Sequence, residues 1–195
     1  MAGRGWTARG GFGIAALFVY AAVASGQPRA IDTNASVLTV HVFKSGMLSA
    51  FGHDHLIDAP IATGSADPTA RRVELRVNSA ALRVRDPKAS ESDHAAIQKT
   101  MAGPEVLDVA RYPEIVFQSI SAESAGPAAW RLRGNLSLHG QTHAVTVDVS
   151  EKDGHYAGSA VFKQTDFGMK PVRAAGGTVR VKDEMRIEFE IRLAP

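Results

Sequence analysis

The chain has 195 residues, 45 % of them apolar and 22 % charged, with a formal net charge of +2 and no cysteine. This length carries one domain with a real core, and the missing thiols exclude disulfides, thiolate zinc sites, thiol redox chemistry and a cysteine-linked lipid anchor. The positive balance belongs to the N-terminus: residues 1–26 hold Arg4 and Arg9 and no acid, so residues 27–195 carry 20 Lys and Arg against 20 Asp and Glu, without the basic excess a nucleic-acid surface needs.

Residues 1–26 read as a cleavable signal peptide. Arg4 and Arg9 precede an apolar run from Gly11 to Val23, and Ala22-Val23-Ala24 and Ala24-Ser25-Gly26 both fit small-x-small cleavage. The run is short for a membrane anchor, which needs about 20 apolar residues. One exported domain, residues 27–195, is expected after it.

Ser36 to Phe43 alternates, with both faces largely apolar, and predicts a strand buried on both sides or lying at a seam. Met47 to Ala59 reads as extended, Pro60 to Pro68 as turn-rich, and Arg72 to Val84 as a strand with Val73, Leu75 and Val77 on one face. Ser90 or Ser92 offers an N-cap, with Glu91 and Asp93 in the first turn, to a helix near residues 92–102 that Gly103-Pro104 ends. Glu114 to Ala122 is a strand. From Trp130 to Val149, Trp130, Leu132, Leu136 and Leu138, then Val145, Val147 and Val149, mark the apolar face of a hairpin turning at His139–Thr142. His155 to Gln164 is the next strand, and the closing pair is Thr178 to Val181 and Met185 to Leu193. Eight or so strands with one short α-helix predict an all-β fold, a closed antiparallel eight-stranded barrel without exposed edges. Its interior is filled by side chains or holds one small ligand.

Four segments resemble the YceI-like family of periplasmic polyisoprenoid-binding proteins: Ile31-Asp32 with the strand from Ser36, Leu107 to Ser119 around Tyr112-Pro113, Leu132 to Thr142 around Leu138-His139-Gly140, and Thr165-Asp166-Phe167-Gly168-Met169 with the final strand pair. The resemblance spans roughly residues 31–195. It departs from the commoner family pattern at Ala35-Ser36 and at Gly52-His53-Asp54-His55. It implies a lipocalin-like β-barrel in the periplasm, non-catalytic, holding an isoprenoid, quinone or other lipid in its interior. An apolar lipid partner, with transient membrane contact, is then expected, and no cofactor.

Phe43, Phe51, Met101, Leu107, Phe117, Phe162 and Phe167 come from separate segments and are the candidates to line that cavity. A packed core uses the same residue types, so a solid barrel serving as an interaction protein is the competing reading. His53, His55 and Arg85 are candidates for the cavity mouth. In an extended strand His53 and His55 project to one side about 7 Å apart, which also suits two imidazoles on one metal, with a third ligand from His41, His94, His139 or His143. A metal-binding barrel is therefore the alternative function. No Gly-x-Ser-x-Gly elbow occurs, and alternation sends Glu188 and Glu190 to solvent, so the reading is not an enzyme.

Overall fold

The computed structural model describes residues 26–45, 54–87, 89–174 and 179–195; the proposed signal segment and cleavage sites lie almost wholly outside them. Among the described residues twelve strands form: β1 (Arg29–Ala30), β2 (Val37–Ser45), β3 (His55–Asp58), β4 (Ile61–Asp67), β5 (Arg72–Asn78), β6 (Arg83–Val84), β7 (Glu114–Gly126), β8 (Ala129–Leu138), β9 (Gln141–Lys152), β10 (His155–Lys163), β11 (Arg173–Ala174) and β12 (Val179–Arg192). One helix, α1 (Glu91–Ala102), stands between β6 and β7. All the strands join one antiparallel sheet in the order β1-β4-β5-β7-β8-β9-β10-β12-β2-β3-β6, with β11 also on β12.

The architecture is all-β, an antiparallel sheet curled into a half-barrel, and the closed eight-stranded barrel is corrected. Among the described residues the two end strands of the path, β1 and β6, do not pair with each other. The sheet curls far enough for Ile31 to bridge Leu193, where the Asp32 N–H donates to the Arg192 carbonyl at 2.9 Å. The strand count differs because side chains and prolines break strands that hydropathy runs together. Asp32 Oδ1 accepts from the N–H groups of Asn34 and Ala35, and this turn separates β1 from β2. Pro60 separates β3 from β4, and β4 itself occupies Ile61–Asp67, where composition predicts turns. Its Ala, Gly, Ser and Asp residues are poor strand formers, and pairing with β5 and β1 overrides that preference. A 3-10 turn at Ser79–Ala81, capped by the Asn78 side chain, interrupts the strand expected to run to Val84. The closing pair, in contrast, is one strand, β12, with a register shift between Val181 and Met185.

The hairpin from Trp130 forms as read, around the two-residue turn His139-Gly140. Both residues have positive φ, 50° and 73°, the backbone of a type I′ turn, whose twist matches that of the flanking strands. The helix also forms as read. The Ser90 side chain accepts from the Asp93 N–H at 3.2 Å, Glu91 and Asp93 occupy the positive N-terminal turn, and Lys99 the last turn. Met101 is its one buried residue. The helix is held to the sheet by Gln98, which accepts from the Val84 N–H at 3.0 Å and donates to the Leu82 carbonyl at 2.9 Å.

Candidate functional site: an apolar cavity inside the sheet

Alternation along each strand sends one set of side chains inward. From β8 these are Trp130, Leu132, Leu136 and Leu138; from β9, Val145, Val147 and Val149; from β5, Val73, Leu75 and Val77; from β12, Met185, Ile187, Phe189 and Ile191. They do not meet at the centre. They surround a cavity of about 780 Å³, within the 300–1,000 Å³ usual for small-molecule sites. The solid barrel is thus corrected: the interior is hollow. Ala96, Ile97, Thr100 and Met101 of α1 cover one end.

Four of the seven expected apolar residues, Met101, Leu107, Phe117 and Phe162, line this cavity. Phe167 does not. It is fully buried in the wall, with its ring edge-on to Phe162 at 5.3 Å and to His143 at 5.2 Å. Phe43 lies outside as well: Val40, Val42 and Lys44 of β2 line the cavity. Alternation turns Phe43 to the outer face, where it stacks on His41 at 6.4 Å with Lys182 Nζ 5.7 Å from its ring centre. Because β2 is apolar on both faces, its pattern could not say which face is inside. Phe51 and His53 lie outside the described residues.

Of the mouth candidates, His55 lines the cavity and Arg85 does not. Arg85 is exposed, its Nε 2.7 Å from Asp58 Oδ1. Asp86, next to Arg85 in the chain, is in contrast only 2 % exposed. Its Oδ2 accepts from His55 Nδ1 at 3.0 Å and its carbonyl from His94 Nε2. One residue thus joins β3, the segment after β6 and helix α1. Among the described residues no three His, Asp or Glu side chains gather as a metal site. His41 pairs with Glu188 at 3.1 Å on the outer face, and His139 Nδ1 donates to the Phe167 carbonyl at 3.0 Å.

Apart from His55, the polar lining residues escaped the sequence reading. Lys44, His55, Gln164 and Arg180 stand at the cavity end near α1, and Asp67, Arg71, Arg72, Glu151 and Tyr156 at the other. Burial, reinforced by Glu151 and opposed by Arg29, pushes the Tyr156 phenol above its ordinary value. Only the strand-end positions of Lys44 and Arg180 and the exception they make to an inward apolar row could have signalled them.

The segments that carry the resemblance build the wall. The Tyr112 carbonyl accepts from Ser79 Oγ at 2.7 Å, and the Tyr112 ring packs on His139 at 4.9 Å. In the Thr165–Met169 stretch, Gly168 takes φ 71° to cap a 3-10 turn that buries Phe167 and Met169.

The profile of the YceI-like domain matches residues 30–193. A UPF0312 protein of Pseudomonas putida strain W619 is 28% identical over 175 residues, covering 82% of this chain and 87% of its own. One from Pseudomonas syringae pv. syringae is 28% identical over 186 residues, covering 87% and 91%. Among solved structures, Burkholderia cenocepacia BcnA superposes with a TM-score of 0.61 at 18% identity, over 85% of this chain and 99% of its own. The YceI protein of Campylobacter jejuni does so with 0.51 at 14% identity, over 71% and 81%. With the domain matched over nearly all the described residues and the curled sheet shared, the chain belongs to the YceI-like family.

Proposed function

We propose that the protein is an exported, non-catalytic carrier that holds the apolar chain of an isoprenoid, quinone or other lipid inside the sheet and keeps it from water in the periplasm. The observation that carries this reading is the 780 Å³ cavity with apolar side chains from most strands turned into it. Burying hydrocarbon contributes about 0.8 kcal/mol per methylene, so a ten-carbon stretch supplies about 8 kcal/mol before the costs of immobilisation. Met101, Leu107, Phe117 and Phe162 would contact the chain directly. The export signal read in residues 1–26 supports the compartment, and the absence of cysteine fits a fold that does not depend on oxidation.

Native mass spectrometry tests it, on protein secreted through its own N-terminus and purified without detergent. The expected result is a co-purifying mass released by organic solvent, or stoichiometric uptake of an added long-chain alcohol. Protein that neither carries nor takes up any apolar chain overturns the proposal.

A further inference from the structure

Helix α1 is attached to the sheet unevenly along its length. Its C-terminal end is built in. Met101 is buried, and the Met101 and Ala102 carbonyls accept from the N–H groups of Leu107 and Val109 at 3.1 and 3.3 Å, Leu107 itself lying in the core. The rest of the helix, residues 91–100, has no buried residue, and Ile97 is its one large apolar side chain. Among the described residues two side chains tie this part down. His94 Nε2 donates to the Asp86 carbonyl, and the Gln98 amide takes both the Val84 N–H and the Leu82 carbonyl. The Arg85 N–H, by contrast, donates to Leu56 of β3, so Gln98 occupies the edge of β6 that β3 leaves unpaired.

A segment with few buried contacts and a small number of polar bonds opens at low cost. This one places Ala96, Ile97 and Thr100 across the end of the cavity. The opposite end has a different construction. Its rim consists of strand turns closed on themselves: Asp67 Oδ1 accepts from the N–H groups of Thr69 and Ala70, and Glu151 Oε1 from that of Gly154 at 2.7 Å.

We propose that α1 is the gate of the cavity: its N-terminal part swings off the β6 edge about the Met101–Leu107 anchor, and apolar chains pass through the opening. The inference rests on the carrier reading and adds to it the route of entry and release. Gln98 does not line the cavity, so it holds the gate without touching the chain. Its two bonds stabilise the closed helix equally in the empty and the filled protein. Their loss therefore speeds passage in both directions and leaves affinity in place.

The test is stopped-flow fluorescence of the neutral probe phenylnaphthylamine with the full secreted protein. Gln98→Ala should raise the association and dissociation rates together, by about tenfold for two neutral hydrogen bonds, with Kd changed by less than about twofold. Because the chain has no cysteine, the double variant Arg83→Cys, Gln98→Cys carries only the two introduced thiols, one on the helix and one between the two residues that Gln98 binds. Joining them with a reducible bis-methanethiosulfonate linker should bring both rates below those of the unmodified chain, and dithiothreitol should restore them.

Rates that the linker leaves unchanged overturn the gate, put entry at the Trp130 and Tyr156 end, and leave the carrier reading intact. Faster dissociation in Gln98→Ala with unchanged association overturns it too, because α1 is then a fixed wall whose loosening merely weakens binding. Failure of the natural chain to take up the probe overturns the carrier reading, and the gate with it.

Discussion

Gly134 gives the sharpest test of how the cavity wall is packed. It lies on the inward face of β8, paired with Ser119 on one side and Val145 on the other. A methyl group there would stand 2.5 Å from Cε2 and Cζ of Phe117 and 2.6 Å from the Gln118 carbonyl oxygen. In an unobstructed strand, replacing Gly by Ala gains about 0.5–1 kcal/mol through the lower entropy of the unfolded chain. Overpacking costs about 1–3 kcal/mol. The carbonyl contact belongs to the ladder and cannot step aside, so the clash wins. We expect Gly134→Ala to lose about 1–2 kcal/mol and about 3–7 °C in Tm. Urea and thermal denaturation measure both. In a Phe117→Leu background the ring atoms are gone and the carbonyl remains, so the cost should fall by about half, a coupling expected of residues in contact. The Phe117 ring can also yield by swinging into the cavity; ligand affinity would then fall in Gly134→Ala even where stability is largely kept. A variant as stable as the parent with undiminished affinity, or an equal loss in both backgrounds, would refute the packing.

The same geometry sets three further outcomes. Asp86→Ala removes a buried acceptor from His55 and should cost about 2–3 kcal/mol in urea denaturation, while Asp86→Asn keeps a carbonyl oxygen for the same ring and should cost less than half of that. Burial acts to raise Asp183, but the hydrogen bonds from the Thr165 hydroxyl and N–H, with Lys163 and the Gln164 N–H, outweigh it and hold the carboxyl below its ordinary value. A depressed folded value means stability that is present above the unfolded pKa of about 3.9 and lost as pH falls through the folded one; Asp183→Asn should flatten that acid limb of Tm against pH and leave the neutral limb shallow. Gly140→Ala combines φ 73° with a methyl driven into the Tyr112 ring, and should lower Tm by more than Gly134→Ala does.

The regular part of the molecule was readable because alternation is a direct statement about faces. The inward rows of β5, β8, β9 and β12 appear in the sequence as Val, Leu, Ile and Phe at every second position, with Arg, Glu, Asp and Thr between them. Helix α1 was readable from its cap and its acids. What pattern could not supply was everything that a contact between distant segments decides. Phe43 and Val42 are equally apolar neighbours, and only the pairing of β2 with β12 and β3 chooses Val42 for the interior. Ile61–Asp67 has the composition of a loop and becomes a strand because β5 offers it a partner, in a ladder that runs from Asp67 opposite Arg72 to Ile61 opposite Val77. Arg85 and Asp86 are adjacent charges that look equivalent in sequence, yet one is exposed beside Asp58 and the other is buried beneath His55.

The same distinction separates affinity from selectivity. A cavity lined only by regular alternation would be apolar throughout and would accept any chain that fits. Its polar lining groups instead come from places where regularity breaks: Arg180 beside the register shift of β12, Gln164 just beyond β10, His55 at the first residue of β3, Asp67 and Arg71 at the turn into β5. The shift in β12 has its own support, since Gln164 Nε2 donates to the Lys182 carbonyl at 2.7 Å and the Thr165 hydroxyl to Asp183 Oδ2 at 2.7 Å. Thr165→Val removes only the second of these bonds. If that bond holds the break in β12 in place, the variant should lose about 1 kcal/mol in urea denaturation while keeping the affinity for an uncharged chain, because the apolar rows of β8 and β9 are untouched. Parallel loss of stability and of that affinity would mean that wall and rim are one mechanical unit.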